Sequence, residues 1–384
     1  MRIRPTEAVV DLTAIAHNFR VAVELGGRPA MGVVKADAYG HGAVEVASAL
    51  VQAGAPMLAV ALPEEGLELR EAGLEAPVLV LCAEPARYDV LVRHRLTPVL
   101  FAANQVGWLA RAARAAGAAA SAHLEVDTGM GRTGVSPEEL PALVEALSAA
   151  PEIRLEGLFT HFASADLEPR SFTEGQAERF EAAAELLARA GHAPRLRHLS
   201  NSAGTIAFPE IRQDLTRPGI MIYGYLPFEA GARQVPAVRE AAARLRPALT
   251  WRSAVVHVKT VASGTPISYG GHWVASRPSR IATIPVGYGD GYGRRLSGRP
   301  GMGRADVLVR GRRAPVAGTV CMDMTMIDVT EIPGVEVGDE VVLLGAQGGA
   351  RIGADELAEK VGTISYEILC AIGPRVPRRY RPAP

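Results

Sequence analysis

Through its first 230 residues the chain repeats one pattern, a short apolar or β-branched run followed by an alanine-rich stretch with helical spacing. The runs predict strands near 29–35, 57–61, 77–82, 97–101, 121–127, 155–161, 196–199 and 214–224. Segments such as 103–116 (ANQVGWLARAARAA) and 171–190 (SFTEGQAERFEAAAELLARA) are long enough for right-handed crossovers. Eight strand–helix units predict an α/β chain that opens with an N-terminal (β/α)8 TIM-type barrel. An open doubly wound sheet satisfies the same alternation, and the pattern alone leaves both standing.

After about residue 236 the pattern changes to strands and turns, in LTWRSAVVHVKTVA, SRIATIPVGYGDGYG, ADVLVRGRRAPVAGTV and DEVVLLG, with one clear helix in GADELAEKV. This predicts a C-terminal mainly-β domain, a small barrel or sandwich. The expected domains are 1–236 and 237–384, with a first strand at 1–10 that is a candidate to pair with the C-terminal domain. Residues 226–245, polar and punctuated by Pro and Gly, read as the joint.

Lys+Arg and Asp+Glu both number 41, so no global field draws in nucleic acid or an anionic membrane, and a small molecule is the expected partner. Cys82, Cys321 and Cys370 fit neither a disulfide framework nor a zinc site, which implies a reducing, cytoplasmic setting and no metal. Residues 1–19 do not read as a signal peptide, and no stretch approaches the apolar length of a membrane span. Arginine supplies nearly all of the basic residues. Lys35, Lys259 and Lys360 are the three lysines, so chemistry that needs an amine has three candidates.

In a barrel the informative polar residues stand where strands end. The first run ends in VVKADAYGHG, putting Lys35 at a strand end before a glycine-rich loop. An inward lysine there must be neutralised, paired or covalently used. HLEVDTGMGRTG, GLFTHF, RHLSNSAG and DLTRPGIMIYGYLP offer Arg132, His161, His198, Asn201, Ser202 and Arg217 at four further strand ends. SNSAG and RPGI can present backbone N–H groups and a serine hydroxyl to an anion. A phosphate cup and a buried lysine in one barrel suggest an aldehyde cofactor held as a Schiff base; a Schiff-base aldolase would show the same two features. GYGDGYG at 287–293 precedes no helix and no GKS/T, so it reads as a turn-rich functional loop rather than a nucleotide site.

In these blocks the sequence resembles the alanine racemase family over nearly its whole length. VVKADAYGHG, HLEVDTGMGRTG, THFASAD, SNSAG, RPGIMIYG, ISYGGHW, IPVGYGDGYGRRLS, GTVCMDMTMIDV and TISYEILCAIGPRVPRRY all look like family blocks, in order. The resemblance implies a pyridoxal 5'-phosphate (PLP) enzyme, an isomerase that interconverts L- and D-alanine to supply peptidoglycan synthesis. It also implies a homodimer with shared active sites. By match, Lys35 carries the cofactor, and Tyr39, Ser202, Gly219, Ile220 and Tyr366 surround its phosphate. His161 lies against the ring, Asn201 stands close by and Arg217 faces the ring nitrogen. Tyr269, Cys321 and Met322 come from the other subunit.

Racemisation takes a proton from one face of Cα and returns one to the other, so two acid/base groups are the minimum. The resemblance implies Lys35 and Tyr269 for these roles. A tyrosine base at neutral pH needs a cationic neighbourhood, expected from Arg217 and His161. Arg217 will not give up its proton, which would leave the ring a weaker electron sink and disfavour transamination. Arg132 is expected to hold the substrate carboxylate with the Met322 N–H, while Tyr288 and Tyr366 narrow the entrance. Glu125 stands where many family members have a lysine that becomes carbamylated, so it is expected to orient Arg132 as a permanent carboxylate. A decarboxylase on the same barrel would oppose the ring nitrogen with a glutamate, which Arg217 argues against. A PLP carrier would be a barrel alone, and the ISYG and CMDM blocks weaken that reading. A cofactor-free aldolase or binding barrel is the remaining alternative.

Overall fold

The computed structural model describes residues 4–82, 87–211, 213–228, 235–298 and 303–381. The chain divides into two compact units, Ile15–Ala38 with Ala43–Arg246, and Met1–Ala14 with Tyr39–Gly42 and Pro247–Pro384. Its first strand, β1 (Glu7–Asp11), belongs to the second of these.

In the first unit β2 (Gly32–Val33), β3 (Leu58–Val60), β4 (Val78–Val80), β5 (Leu96–Leu100), β6 (Ala120–Glu125), β7 (Ile153–Phe159) and β8 (Leu196–His198) pair in parallel and in chain order. A segment at 214–217 closes the ring. The N–H groups of Asp214 and Leu215 donate to Arg197 O on one side, at 2.8 and 3.3 Å. On the other side Thr216 bridges Ala30, receives the Met31 N–H at 2.8 Å and donates to Pro29 O at 3.0 Å. Both edges of the sheet are therefore joined, which makes it a barrel and excludes the open sheet.

The eighth strand is shorter than the expected 214–224. Pro218 has no N–H for the ladder. Gly219 then turns at φ −105° and ψ −92°, and Ile220–Tyr223 wind into a 3-10 turn.

The outer helices bury one stripe each. Ser171–Arg189 turns Thr173, Gln176, Phe180, Ala183 and Leu187 inward at steps of three and four. Ala103–Ala116 buries Val106, Leu109, Ala110 and Ala113 and stops at Gly117, whose φ of +62° a Cβ would oppose. Burying a side chain such as Phe180 stabilises the unit by about 2–3 kcal/mol over leaving it in water. Of the segment expected to be a joint, 229–234 lie outside the described residues. Pro236–Arg244 forms a helix that packs Val238 and Ala241 against Ala22, Ile206 and Met221, so this part belongs to the barrel unit's core.

The second unit is mainly β. One sheet runs in the order Arg312–Pro315, Asp306–Val309, Glu340–Gln347, Leu249–Ala254, β1 and Arg378–Arg381, with Ala350–Ile352 paired to Glu340–Gln347. Within it β1 lies antiparallel to Leu249–Ala254 and parallel to Arg378–Arg381. A second sheet joins His257–Val261, Ser279–Ile284 and Thr325–Asp328. Two short helices, Ala354–Val361 and Ser365–Cys370, stand where the sequence pattern shows one. Among the described residues, no helix is long and apolar enough to cross a membrane.

Candidate active site

Lys35 opens the helical turn Lys35–Gly40 just beyond β2. This turn is left-handed, with φ of 52°, 53°, 51° and 54° at Ala36, Asp37, Ala38 and Tyr39. Each such L-residue costs about 1–2 kcal/mol, so the surroundings must impose the conformation. Glu65 Oε1 accepts the Ala36 N–H at 2.6 Å, and the Ala38 N–H donates to Val34 O at 2.8 Å. Asp37 Oδ1 accepts the Ala43 N–H at 2.8 Å. Glu65 is not among the residues expected at the site; its signal in the sequence is a glutamate at the third position of the helix Pro63–Glu71. Its other oxygen takes the N–H groups of Ala61 and Leu62 at 2.6 and 2.9 Å. Gln105, Gln176 and Gln213 likewise cap backbone N–H groups just past β5, β7 and β8. The rim of the barrel is thus held by amide and carboxylate side chains.

Arg217 follows the closing segment and is buried. Its Nη1 donates to His198 Nδ1 and to His198 O, both at 2.7 Å. Its Nη2 donates to Thr160 O at 2.8 Å, with His161 Nδ1 and Leu199 O at 3.3 Å. The Nη groups are taken, and Nε–H has no partner among the described residues. Burial lowers the Arg217 pKa to about 10 while Glu125 pulls it back up, so the guanidinium stays charged at neutral pH. His161 is held well below the usual imidazole range by burial and then by Arg217, Arg132 and Lys35. It is therefore neutral, and the positive charge expected from it is absent. The cationic field at this rim comes from Arg217, Arg132 and Lys35 instead.

Arg132 lies in the loop after β6 and is exposed. Asp127 builds that loop: its Oδ1 accepts the N–H groups of Gly129, Met130 and Gly131 at 2.9, 2.9 and 3.1 Å. An Asp followed by glycines is a turn signal that could have found it. Glu125, at the end of β6, is buried and accepts from Thr133 Oγ1 at 2.8 Å. Burial raises its pKa against that hydrogen bond and the charges of Arg217 and Arg132. No ion pair joins Glu125 to Arg132 among the described residues. Glu125 reaches both arginines through the field alone.

Asn201 caps the helix Ser202–Ala207: its Oδ1 accepts the Gly204 N–H at 3.0 Å and its Nδ2 donates to Phe162 O at 3.2 Å. Ser202 Oγ accepts the Gly219 N–H at 2.8 Å and, more weakly, that of Met221 at 3.4 Å. Gly219 was expected to offer its N–H to an anion; it is engaged with Ser202 instead. Among the described residues, the Ser202 hydroxyl proton and the Ile220 N–H remain as donors for a phosphate beside the start of the helix Ser202–Ala207.

The remaining expected residues lie in the second unit. Tyr39 is buried with its ring centroid 5.9 Å from that of Tyr366, and burial, then Tyr366 and Cys370, keep its hydroxyl protonated. Tyr288 and Met322 sit on adjoining loops, which are tied by Tyr288 N–H to Cys321 O at 3.0 Å and Gly289 N–H to Met322 O at 2.9 Å. A Cβ at Gly287 would stand 2.2 Å from Cys321 O, so this approach requires glycine. Tyr269 follows Ser268, a non-glycine residue at φ 66°, and is 71% exposed.

Two family models match the chain, the alanine racemase N-terminal domain over residues 10–227 and the alanine racemase C-terminal domain over 248–380. The chain belongs to the alanine racemase family. Among relatives in this family of isomerases, an alanine racemase of Halothermothrix orenii is 46% identical over 381 residues, covering 98% of this chain and 97% of that one. One from Symbiobacterium thermophilum is 46% identical over 379 residues, with 98% and 97% coverage. The solved alanine racemase of Streptomyces lavendulae superposes with a TM-score of 0.92 at 35% identity, covering 100% of this chain and 98% of that chain. That of Bacillus anthracis, solved with bound L-Ala-P, gives 0.91 at 36% identity, covering 100% and 97%. The barrel and the mainly-β unit are thus the two parts of an alanine racemase family fold. In this family member Lys35, Glu125, Arg132, His161, Asn201, Ser202, Arg217, Gly219 and Ile220 fall in the barrel unit, at the C-terminal ends of its strands.

Proposed function

We propose that this chain interconverts L-alanine and D-alanine with PLP carried on Lys35, and supplies D-alanine for peptidoglycan synthesis in the cytoplasm. The observation that carries the reading is Arg217, a buried cation with its Nη groups taken and its Nε–H undirected, at the same rim as Lys35. The donor set fits the cofactor: an amine at Lys35, a hydroxyl proton at Ser202, the Ile220 N–H, and a guanidinium to face a ring nitrogen without protonating it. When bound, PLP supplies an electron-withdrawing ring that acidifies the substrate's Cα proton.

The chain's own residues then divide the work. Tyr39, protonated and beside Tyr366, would serve as a donor to the cofactor's phosphate. Neutral His161 would lie against the ring without adding charge, and Asn201 holds the strand end beside it through Phe162 O. Lys35 moves the proton on one face of Cα, and Tyr269 of a second copy moves it on the other. The exposure of Tyr269 (71%) and Met322 (52%) in the single chain supports a homodimer in which these residues complete the partner's site. Arg132 binds the substrate carboxylate together with the Met322 N–H, while Tyr288 limits the pocket to a small side chain.

Proton NMR of the protein with L-alanine in deuterated water, with chiral analysis of the product and a control lacking PLP, tests this. Deuterium at Cα with a D/L mixture, dependent on PLP, is expected. Exchange without inversion, or no exchange in PLP-loaded protein, would overturn it.

A further inference from the structure

Behind Arg217 lies a pair of buried histidines that the proposed reaction does not use. His198 Nε2 and His123 Nδ1 are 2.8 Å apart, and both side chains are fully buried. Phe159 stacks on His198 with centroids 4.7 Å apart at 10°, and the Arg217 guanidinium lies 4.9 Å above the same Phe159 ring. Room for His123 comes from Gly157, where a Cβ would stand 2.4 Å from His123 Nδ1. The β6–β7 register shifts between Ala122 and His123, at the same place.

Hydrogen-bond chemistry gives this chain a direction. A guanidinium has donors and no acceptor, so Arg217 Nη1–H must donate to His198 Nδ1. His198 Nδ1 therefore carries no proton, and its proton sits on Nε2. That proton can point only to His123 Nδ1, which must accept and is likewise bare. The His123 proton is then on Nε2, which has no partner among the described residues. Burial and the neighbouring arginine oppose a second proton on either ring.

We propose that His123 is a positioning residue for Arg217. The one-way chain Arg217 Nη1–H to His198 to His123 fixes both imidazoles as neutral Nε2–H tautomers and holds the guanidinium so that its Nε–H is the group presented to a bound ligand. This rests on the reading that Arg217 faces the PLP ring nitrogen, but the tautomers follow from the protein alone.

The test begins with long-range proton–nitrogen correlation NMR of the full-length protein labelled at histidine, with assignments from single His→Gln variants. Both rings are expected to show a bare Nδ1 and a protonated Nε2. An Nδ1–H tautomer or a doubly protonated ring at either position overturns the proposal. His123→Gln and His123→Leu then separate positioning from packing, since both remove the ring but Gln alone accepts from His198. Equilibrium PLP affinity is expected to stay within about threefold for His123→Gln and to fall about tenfold for His123→Leu. Equal affinities in the two variants would reduce His123 to a packing role. Arg217→Lys with unchanged PLP affinity would instead sink the reading of Arg217 and leave the tautomer result standing.

Discussion

Lowering the pH should destabilise this protein through its buried neutral histidines, by an amount that can be worked out. Burial, then Arg217 and Arg195, pushes the His123 pKa down to about 3, and His161 and His198 also lie well below the usual value. In the folded state these rings stay neutral, while the unfolded chain takes a proton on each below about pH 6.5. The folded state therefore binds fewer protons, and stability is lost as pH falls through that value. For His123 the cost is RT ln(1 + 10^(6.5 − pH)), about 0.1 kcal/mol at pH 7.5 and about 2 kcal/mol at pH 5. His161 and His198 shift stability in the same direction. Other groups titrate in the same window, and buried Glu125, with its raised pKa, works in the opposite direction. Comparing the parent with His123→Gln cancels these common contributions. Urea unfolding of both at pH 7.5 and pH 5 should show the variant gaining about 2 kcal/mol relative to the parent as the pH drops. Parallel pH profiles for the two proteins would refute the claim that His123 is buried neutral.

Further outcomes follow from individual residues. Ala36 is exposed in the left-handed turn after Lys35, so Ala36→Gly should raise stability by up to about 1 kcal/mol, relief of strain outweighing the added freedom of the unfolded chain; a lower urea midpoint would show that the turn is not strained there. Glu125→Gln keeps a carbonyl for Thr133 but removes the charge felt by Arg217 and Arg132, so substrate binding should weaken by about threefold, and unaltered KM would remove Glu125 from the site's electrostatics. In Arg217→Glu, checked for folding by circular dichroism, the pyruvate formed per racemisation should rise, because a carboxyl group can share a proton with a ring nitrogen where a guanidinium cannot; an unchanged product ratio counts against that role.

Several features of this protein are local and could be read directly from the chain. Strand and helix periods alternate over 230 residues, which commits the first part to a parallel α/β fold. Polar residues at strand ends, in VVKADAYG, THF, SNSAG and TRPGI, mark the rim of a barrel before any contact is known, because strand ends are where its βα loops begin.

Closure belonged to the tertiary structure. Thr216 meets Ala30 across 186 positions of sequence, and no local pattern distinguishes that pairing from an open edge. The left-handed turn at 36–39 was equally hidden, since Ala and Tyr disfavour it, Asp adopts it only as an isolated residue, and Glu65, twenty-nine residues away from Ala36, helps impose it. Charge states were hidden too: His161 reads as a cation in sequence and is neutral once half-buried beside two arginines and a lysine. The partner of Glu125 changed for the same kind of reason, because the loop built by Asp127 turns Thr133 toward it and leaves Arg132 in solvent. Sequence determined which groups stand at the rim, since that depends on spacing along the chain. Their protons and partners were decided by folding, since those depend on burial and on neighbours brought from distant strands.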